Sequence, residues 1–360
     1  MRKIISVIVF VLFALQSFCV SNPKVLQVTI DEGLINGNIH QITQDNEGFV
    51  WIATENGLAR YDGYNYRIFQ TQSNNPHSIS HNFVNSVATS DGKSIWIGTM
   101  SGLDMFSPVN GTFRHFHFYM PSGNENMKPA LQTIPFDGGC YVKSDDKSVY
   151  VCEGNDDTLR AIPYQNFVPT TFVTSIDLLE NRTLLVGNKA GQVYTLSHDG
   201  RVMQLFSRNS AVSVVKVLKN KKICVCYADG EIYIFNNYNV QNVSQYKLTN
   251  VSDTYVNDVV EYNDDKLLIA TRSLGVYELS YKTGLRAQAI RNLVNENCST
   301  LYKDCFDNVW VGHSSGGISV QLANTVDFTE KSTSQKGEKI LACRVTVSIC
   351  LLEPMARDSR

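Results

Sequence analysis

One phrase returns along this chain at nearly constant spacing. It reads Trp51-Ile52-Ala53-Thr54-Glu55-Asn56-Gly57-Leu58 first, then Trp96-Ile97-Gly98-Thr99-Met100-Ser101-Gly102-Leu103, and finally Trp310-Val311-Gly312-His313-Ser314-Ser315-Gly316. Aligned on the residue that turns after the Trp-type strand, the copies fall at Gly57, Gly102, Asp146, Gly191, Gly230, Gly275 and Gly316, with gaps of 45, 44, 45, 39, 45 and 41. A period of this length built from short strands marks a β-propeller, and seven copies predict seven blades.

Each copy holds four strand candidates. In the first they are Ile39–Gln44, Val50–Thr54, Leu58–Tyr61 and Tyr66–Phe69, divided by Asp45-Asn46-Glu47-Gly48, Glu55-Asn56-Gly57 and Asp62-Gly63. Such residues favour turns for stated reasons: Gly takes positive φ, and Asp and Asn bond their own backbone. The place of Trp51 is taken by Trp96, Cys140, Leu185, Cys224, Leu268 and Trp310. An all-apolar column suits a strand buried on both faces between blades. Two residues on, the chain is small at Ala53, Gly98, Gly187, Ala270 and Gly312, with Val142 and Cys226 as exceptions. At the turn, Asp146 is expected to stand in for Gly in the left-handed region. The last copy lacks a fourth strand. The strand-like Val25–Ile30 belongs to no copy, so it is expected to close the ring as the outer strand of the seventh blade, which also covers an exposed edge.

The fold class is therefore all-β: a seven-bladed propeller of four-stranded antiparallel blades over residues 24–323. Residues 1–20 read as a signal peptide, with Arg2-Lys3 before the apolar run Ile4–Leu15. That run is shorter than a membrane span, so the mature chain is expected in the periplasm without a span of its own. Residues 324–360 carry no repeat and are either an extension or out of frame after about residue 325. A net charge of −2 gives no basic field for nucleic acid. Of the nine cysteines, Cys140 and Cys152 would face each other across a hairpin, whereas Cys224 and Cys226 share one strand face. None has zinc-like spacing, and no metal or other cofactor is expected.

Segments of the first copies carry a family resemblance. Asp31-Glu32-Gly33-Leu34, Ile42-Thr43-Gln44-Asp45-Asn46-Glu47-Gly48-Phe49-Val50-Trp51-Ile52-Ala53-Thr54 and Gly57-Leu58-Ala59-Arg60-Tyr61-Asp62-Gly63 together resemble the two-component regulator propeller. The likeness is specific over residues 25–106, recurs at 307–318 and is faint between. It implies the periplasmic sensor region of a hybrid two-component histidine kinase of gut Bacteroidetes. In that family a second propeller, a β-sandwich, a membrane helix, a kinase, a receiver and a DNA-binding domain follow. The resemblance thus implies a sensor half without its transmitter, a glycan-derived oligosaccharide as ligand, and a second propeller or a sensor dimer as partner.

Loops of a propeller gather at two faces around a channel. Asn56, Arg272 and His313 lie in the turns of one face. A second column runs His40, Asn85, Gln132, Thr174, Ser213, Asn257 and Ser299, polar in every copy and flanked by apolar residues. It would ring the axis and bind either sugar hydroxyls or channel water and free backbone groups. The ligand-binding candidates are His40, Asn85, Gln132, Asn257, Asn56, Arg272, His313 and Tyr64, the last in the turn after Asp62-Gly63. No catalytic residue is assigned. Two rivals stay open. A periplasmic lyase or hydrolase would need a cluster such as His313, Arg272 and Asp229. A protein-binding scaffold would need a flat apolar patch. His115 and His117 share a strand face without an evident third metal ligand.

Overall fold

The computed structural model describes residues 25–323, apart from 90–93, 120–127, 155–156, 166–168, 170, 220, 237, 249–254, 281–287 and 290–296. The signal-peptide segment and the tail lie outside the described residues. Within them the chain forms seven four-stranded units with short 3-10 turns at Ile30–Glu32 and Glu180–Arg182. No helix among the described residues is long and apolar enough to cross a membrane. The innermost strands are Ile39–Gln44, Val84–Ala88, Gln132–Phe136, Val173–Leu178, Val212–Leu218, Val256–Asn263 and Cys298–Lys303. Each touches the next, and the seventh touches the first, so the ring is closed.

Closure occurs where the sequence placed it. Val25–Val28 pairs antiparallel with Ile318–Gln321, from Val25↔Gln321 to Val28↔Ile318. The strand ends two residues earlier than expected, because Ile30–Glu32 turns away, held by the Glu32 carboxylate on Thr29. Two departures from pure antiparallel pairing appear among the described residues: an isolated parallel bridge, Gln165↔Arg201, and the outer strand of blade 3, Thr158–Ala161, which runs parallel to that of blade 2, Thr112–Phe118, through Thr158↔His117 and Leu159↔Phe118. The two blades thereby share one sheet, and an edge that would otherwise be open is covered.

The core is divided among the clefts between blades. Seven apolar clusters fill seven clefts: Trp51, Ala53 and Leu58 meet Val84, Val87 and Ile97, for example, and Trp310, Ile318 and Val320 meet Ile39, Ile42 and Ile52. Successive residues of a second strand serve opposite clefts, which is why Val50–Thr54 is buried throughout. The small-residue column follows from the same packing. A Cβ on Gly187 would come within 2.4 Å of Val212 Cγ1, and one on Gly312 within 2.7 Å of Ile39 Cγ2. Both contacts are with the inner strand of the next blade.

The Trp-type strand is entered through a repeated turn. Asp45 accepts from Glu47 N and Phe49 N with Oδ1 and from the Trp51 indole with Oδ2, at 3.0, 3.0 and 2.7 Å. Asp304 does the same for Phe306 N, Asn308 N and Trp310 Nε1, each at 2.9 Å. One carboxylate thus shapes the turn and satisfies an indole N–H that packing has removed from water. Gly48 at φ 89° takes the left-handed residue of the first turn, and Asp307 at φ 65° takes it in the last.

Two turn expectations are corrected. Asp146 is not in the left-handed region. The second turn of blade 3 is longer and instead uses the Asp146 carboxylate, on Ser148 N (2.8 Å), Lys128 Nζ and Tyr150 OH (2.6 Å each). In blade 7 the positive φ belongs to Gly317, at 76°, rather than to Gly316. Cys140 and Cys152 stand opposite in register and are buried and free. Cys224 and Cys226 lie side by side with their sulfurs 3.7 Å apart.

Candidate functional site

The polar column does ring the channel, and a backbone irregularity puts it there. In six of the seven blades the inner strand carries a bulge in its first three residues: Ile39 faces Thr54 and Gln41 faces Ala53, leaving His40 unpaired in the ladder. The same skip leaves out Asn85, Thr174, Ser213, Asn257 and Ser299. In blade 3 Gln132 pairs with Lys143 while Leu131 N also donates to Lys143 O at 2.8 Å. A bulge re-aims the extra side chain. All seven residues accordingly line one cavity of about 270 Å3 at the channel mouth.

The ring is chemically uneven. Four members bond from blade to blade. His40 Nδ1 donates to Val84 O (2.7 Å), Gln132 Nε2 to Ile176 O (2.7 Å), Asn257 Nδ2 to Cys298 O (2.8 Å), and Ser299 Oγ to Ile39 O. The other three, on blades 2, 4 and 5, have buried polar atoms without a partner: Asn85 Nδ2, Thr174 Oγ1 and Ser213 Oγ. Ser213 is only 7% exposed. A buried hydroxyl or amide without a partner costs about 1–3 kcal/mol, so such atoms are expected to be met by water or a ligand.

Charged groups also line this cavity, and the sequence reading passed over them. Asp258 Oδ2 accepts from Leu301 N (2.9 Å) and Thr300 Oγ1 (3.0 Å) of the next blade. Burial raises its pKa, and Lys216 opposes the shift. Lys216 is raised chiefly by Asp177, with burial opposing and Asp258 assisting. The Lys143 ammonium has no hydrogen bond or ion pair among the described residues, although its backbone is paired in the ladder. Burial lowers its pKa to about 8, against the weaker pull of Asp145 and Asp146.

Lys143 ends the second strand of blade 3, where other blades close their turn. Thr54 Oγ1 donates to Gly57 O, Thr99 Oγ1 to Gly102 O and Thr271 Oγ1 to Gly275 O, at 2.7–3.0 Å. The column reads Thr54, Thr99, Lys143, Asn188, Tyr227, Thr271 and His313, and Lys143 is its one lysine, the signal that could have flagged it.

The remaining candidates do not join the cavity. Asn56 and Arg272 stand on the same face outside it. Asn56 accepts from Gln70 Nε2 (2.8 Å), and the Arg272 guanidinium lies 4.4 Å from the Tyr255 ring centroid. His313 is 2% exposed, with Nε2 2.7 Å from Ser319 Oγ, and burial lowers its pKa. Tyr64, 67% exposed, sits in the turn between the third and fourth strands of blade 1 and so on the opposite face. His313, Arg272 and Asp229 each have separate partners, Asp229 being 3.3 Å from Arg208.

A larger cleft, about 530 Å3, lies outside the ring between segment 71–80 and the outer strand of blade 2. Its His115 is already spent. Nδ1 is 2.7 Å from the buried Asp104, and Nε2 donates to Pro76 O at 2.9 Å. The hydrogen bond to Asp104 is the main cause of its raised pKa. Asp104 Oδ2 also takes Ser80 N at 2.8 Å. This pair clasps the segment. None of the unpartnered buried atoms belongs to this cleft's lining, so the channel mouth is the stronger site despite its smaller volume. Among the described residues no three His, Cys, Asp or Glu side chains converge for a metal.

Residues 33–56 match the two-component regulator propeller. That segment spans the first inner strand, the Asp45–Trp51 turn and the Trp strand. No curated protein matches the chain in sequence. Among solved structures, it resembles the extracellular domain of the hybrid two-component system BT3049 from B. thetaiotaomicron, with TM-score 0.67 and 24% identity over 83% of this chain and 42% of that one. The extracellular domain of BT4673 from the same organism gives TM-score 0.67 and 16% identity over 85% and 40%. The chain thus spans about two fifths of those domains. Streptogramin B lyase gives TM-score 0.65 and 11% identity over 82% and 96%. At these identities the likenesses establish the propeller fold.

Proposed function

We propose that this propeller is the extracytoplasmic, ligand-sensing part of a hybrid two-component regulator. Its ligand is the end of a glycan-derived oligosaccharide held at the channel mouth. The match over residues 33–56 and the likeness to the two B. thetaiotaomicron extracellular domains support the sensor setting and the location outside the cytoplasm. The observation that carries the ligand reading is the trio of buried unpartnered groups, Asn85 Nδ2, Thr174 Oγ1 and Ser213 Oγ, on three residues that line one cavity. Sugar hydroxyls both donate and accept, which is what such a trio lacks. The volume of about 270 Å3 lies just below the range of drug-sized ligand pockets, about 300–1,000 Å3. It suits a terminal unit, with the rest of the oligosaccharide passing over the face. Signalling would run through a second propeller or a sensor dimer, and kinase activity would belong to other domains.

Calorimetric titration of the purified chain with size-fractionated oligosaccharides from digested plant and host glycans tests this. The expected result is saturable binding by at least one fraction, weakened tenfold or more in Thr174→Val/Ser213→Ala. Binding that is indifferent to those substitutions would sink the channel as the site.

A further inference from the structure

We propose that the channel mouth is selective for an anionic sugar unit, whose negative group is held by Lys143. This rests on the oligosaccharide reading above and narrows it.

Lys143 stands where Thr54, Thr99 and Thr271 turn their hydroxyls back onto their own turns. Blade 3 closes that turn with other groups, since Ser144 Oγ donates to Pro129 O (2.7 Å) and Asp146 takes Ser148 N. Lys143 is thereby released from the local role and lines the cavity.

Donors are arranged around Lys143. Asn85 lies on the blade before, and Thr174 and Ser213 on the two blades after. Blades 2 to 5 therefore bring Asn85, Lys143, Thr174 and Ser213 to the lining along one arc, and Asn85 Nδ2, Thr174 Oγ1 and Ser213 Oγ have no partner among the described residues. Gln132 on this arc, and His40, Asn257 and Ser299 on the other, are committed to neighbouring blades. A site that only stabilised the ring would repeat its bonds around the axis. Here the donors without a protein partner are confined to blades 2 to 5.

Asp145 pulls on Lys143 without touching it and, among the described residues, takes only Ser144 Oγ at 3.3 Å. Asp146 is bound by Lys128 at 2.6 Å and by Tyr150. Across the cavity Asp258 holds Leu301 N and Thr300, and Lys216 lies between Asp177 and Asp258. The lowered pKa of Lys143 is what a half-buried ammonium without a counter-ion shows. A neutral sugar would leave that ammonium unmatched, whereas a ligand anion completes the pair, and hydrogen bonds to charged groups are the stronger kind. Lysine acts as a point charge with no planar fork. The chemistry it selects is therefore a negative group on a hydroxyl-rich ring, as in a uronate or a sulfated sugar.

The test is calorimetry on the purified chain at pH 7 with digalacturonate, galactose 6-sulfate and neutral galactobiose, for wild type, Lys143→Gln and Lys143→Thr. The inference expects at least one anionic sugar to bind ten times more tightly than galactobiose. Both variants should lose that preference. Lys143→Thr restores the residue that closes the turn in three other blades, so loss of folding would not explain its result. Equal binding of charged and neutral sugars, or an anionic preference unchanged in both variants, overturns the role of Lys143 and leaves the oligosaccharide reading standing. Absence of binding by all three sugars to wild type overturns this selectivity. Failure of the oligosaccharide reading itself is diagnosed separately, by the digest fractions also giving no binding.

Discussion

Asp304→Ala isolates the device that starts the Trp strand. The carboxylate accepts four hydrogen bonds, from Phe306 N, Asn308 N, Asn308 Nδ2 and Trp310 Nε1, each at 2.9 Å. Trp310 is a member of the cluster that seals blade 7 against blade 1. Removing the carboxylate strands the buried indole N–H, at about 1–3 kcal/mol. The two turn amides are reachable by water and lose about 0.5–1 kcal/mol each. The expected loss is about 3 kcal/mol. For a ring of about 300 residues, with an unfolding entropy of about 2.1 cal/mol/K per residue, that lowers Tm by about 5 °C. Asp304→Asn keeps one acceptor oxygen and should lose about half as much. Differential scanning calorimetry reads both. In a Trp310→Phe background the indole share disappears, so the two substitutions should couple by about 1–2 kcal/mol. An Asp304→Ala Tm within 1 °C of wild type, or strictly additive losses, would refute the reasoning.

Three further perturbations test other parts of the account. Lys143 has a folded pKa of about 8, below its ordinary 10.5, so folding disfavours its charged form; the penalty is full below pH 8 and fades as pH rises towards 10.5. Lys143→Met should therefore be more stable than wild type at pH 7, by about 1–2 kcal/mol after allowing for solvent screening, and equal to it above pH 10.5 in urea titrations. Gly312→Ala places a Cβ 2.6 Å from Thr300 Cγ2 and 2.7 Å from Ile39 Cγ2, and should cost about 1–3 kcal/mol by thermal unfolding. Deleting residues 1–29 uncovers the strand Ile318–Gln321, and should give a lower Tm and concentration-dependent association by light scattering; an unchanged monomer would contradict the closure.

The repeat made the fold legible because one strand environment recurs seven times. Trp51, Cys140, Leu185 and Cys224 differ chemically but meet the same demand, burial on both faces. Strand limits in the first and last copies were readable because Asp45-x-x-Gly48 and Asp304-x-x-Asp307 punctuate them. The parallel seam between blades 2 and 3 was not legible, since it depends on where two outer strands happen to meet. The polar column was visible, yet its division was not: periodicity says that His40 and Thr174 are equivalent, whereas only packing decides that His40 reaches Val84 O and Thr174 reaches nothing. His313 was misleading for the converse reason. Its turn position suggested access, but the ring buries it against Ser319. Lys143 stayed hidden because it belongs to the second strand, and only the channel geometry brings that strand's end beside the inner column.

The central claim is that a sugar end occupies the channel mouth. Methyl NMR of the Thr-, Val- and Ile-labelled chain, titrated with the oligosaccharide fraction that binds, tests it most directly. The account predicts saturable shifts at Thr174, Val214 and Val215, which line the mouth, and none at Thr71 or Ile79, which line the outer cleft. Shifts confined to Thr71 and Ile79 would contradict it.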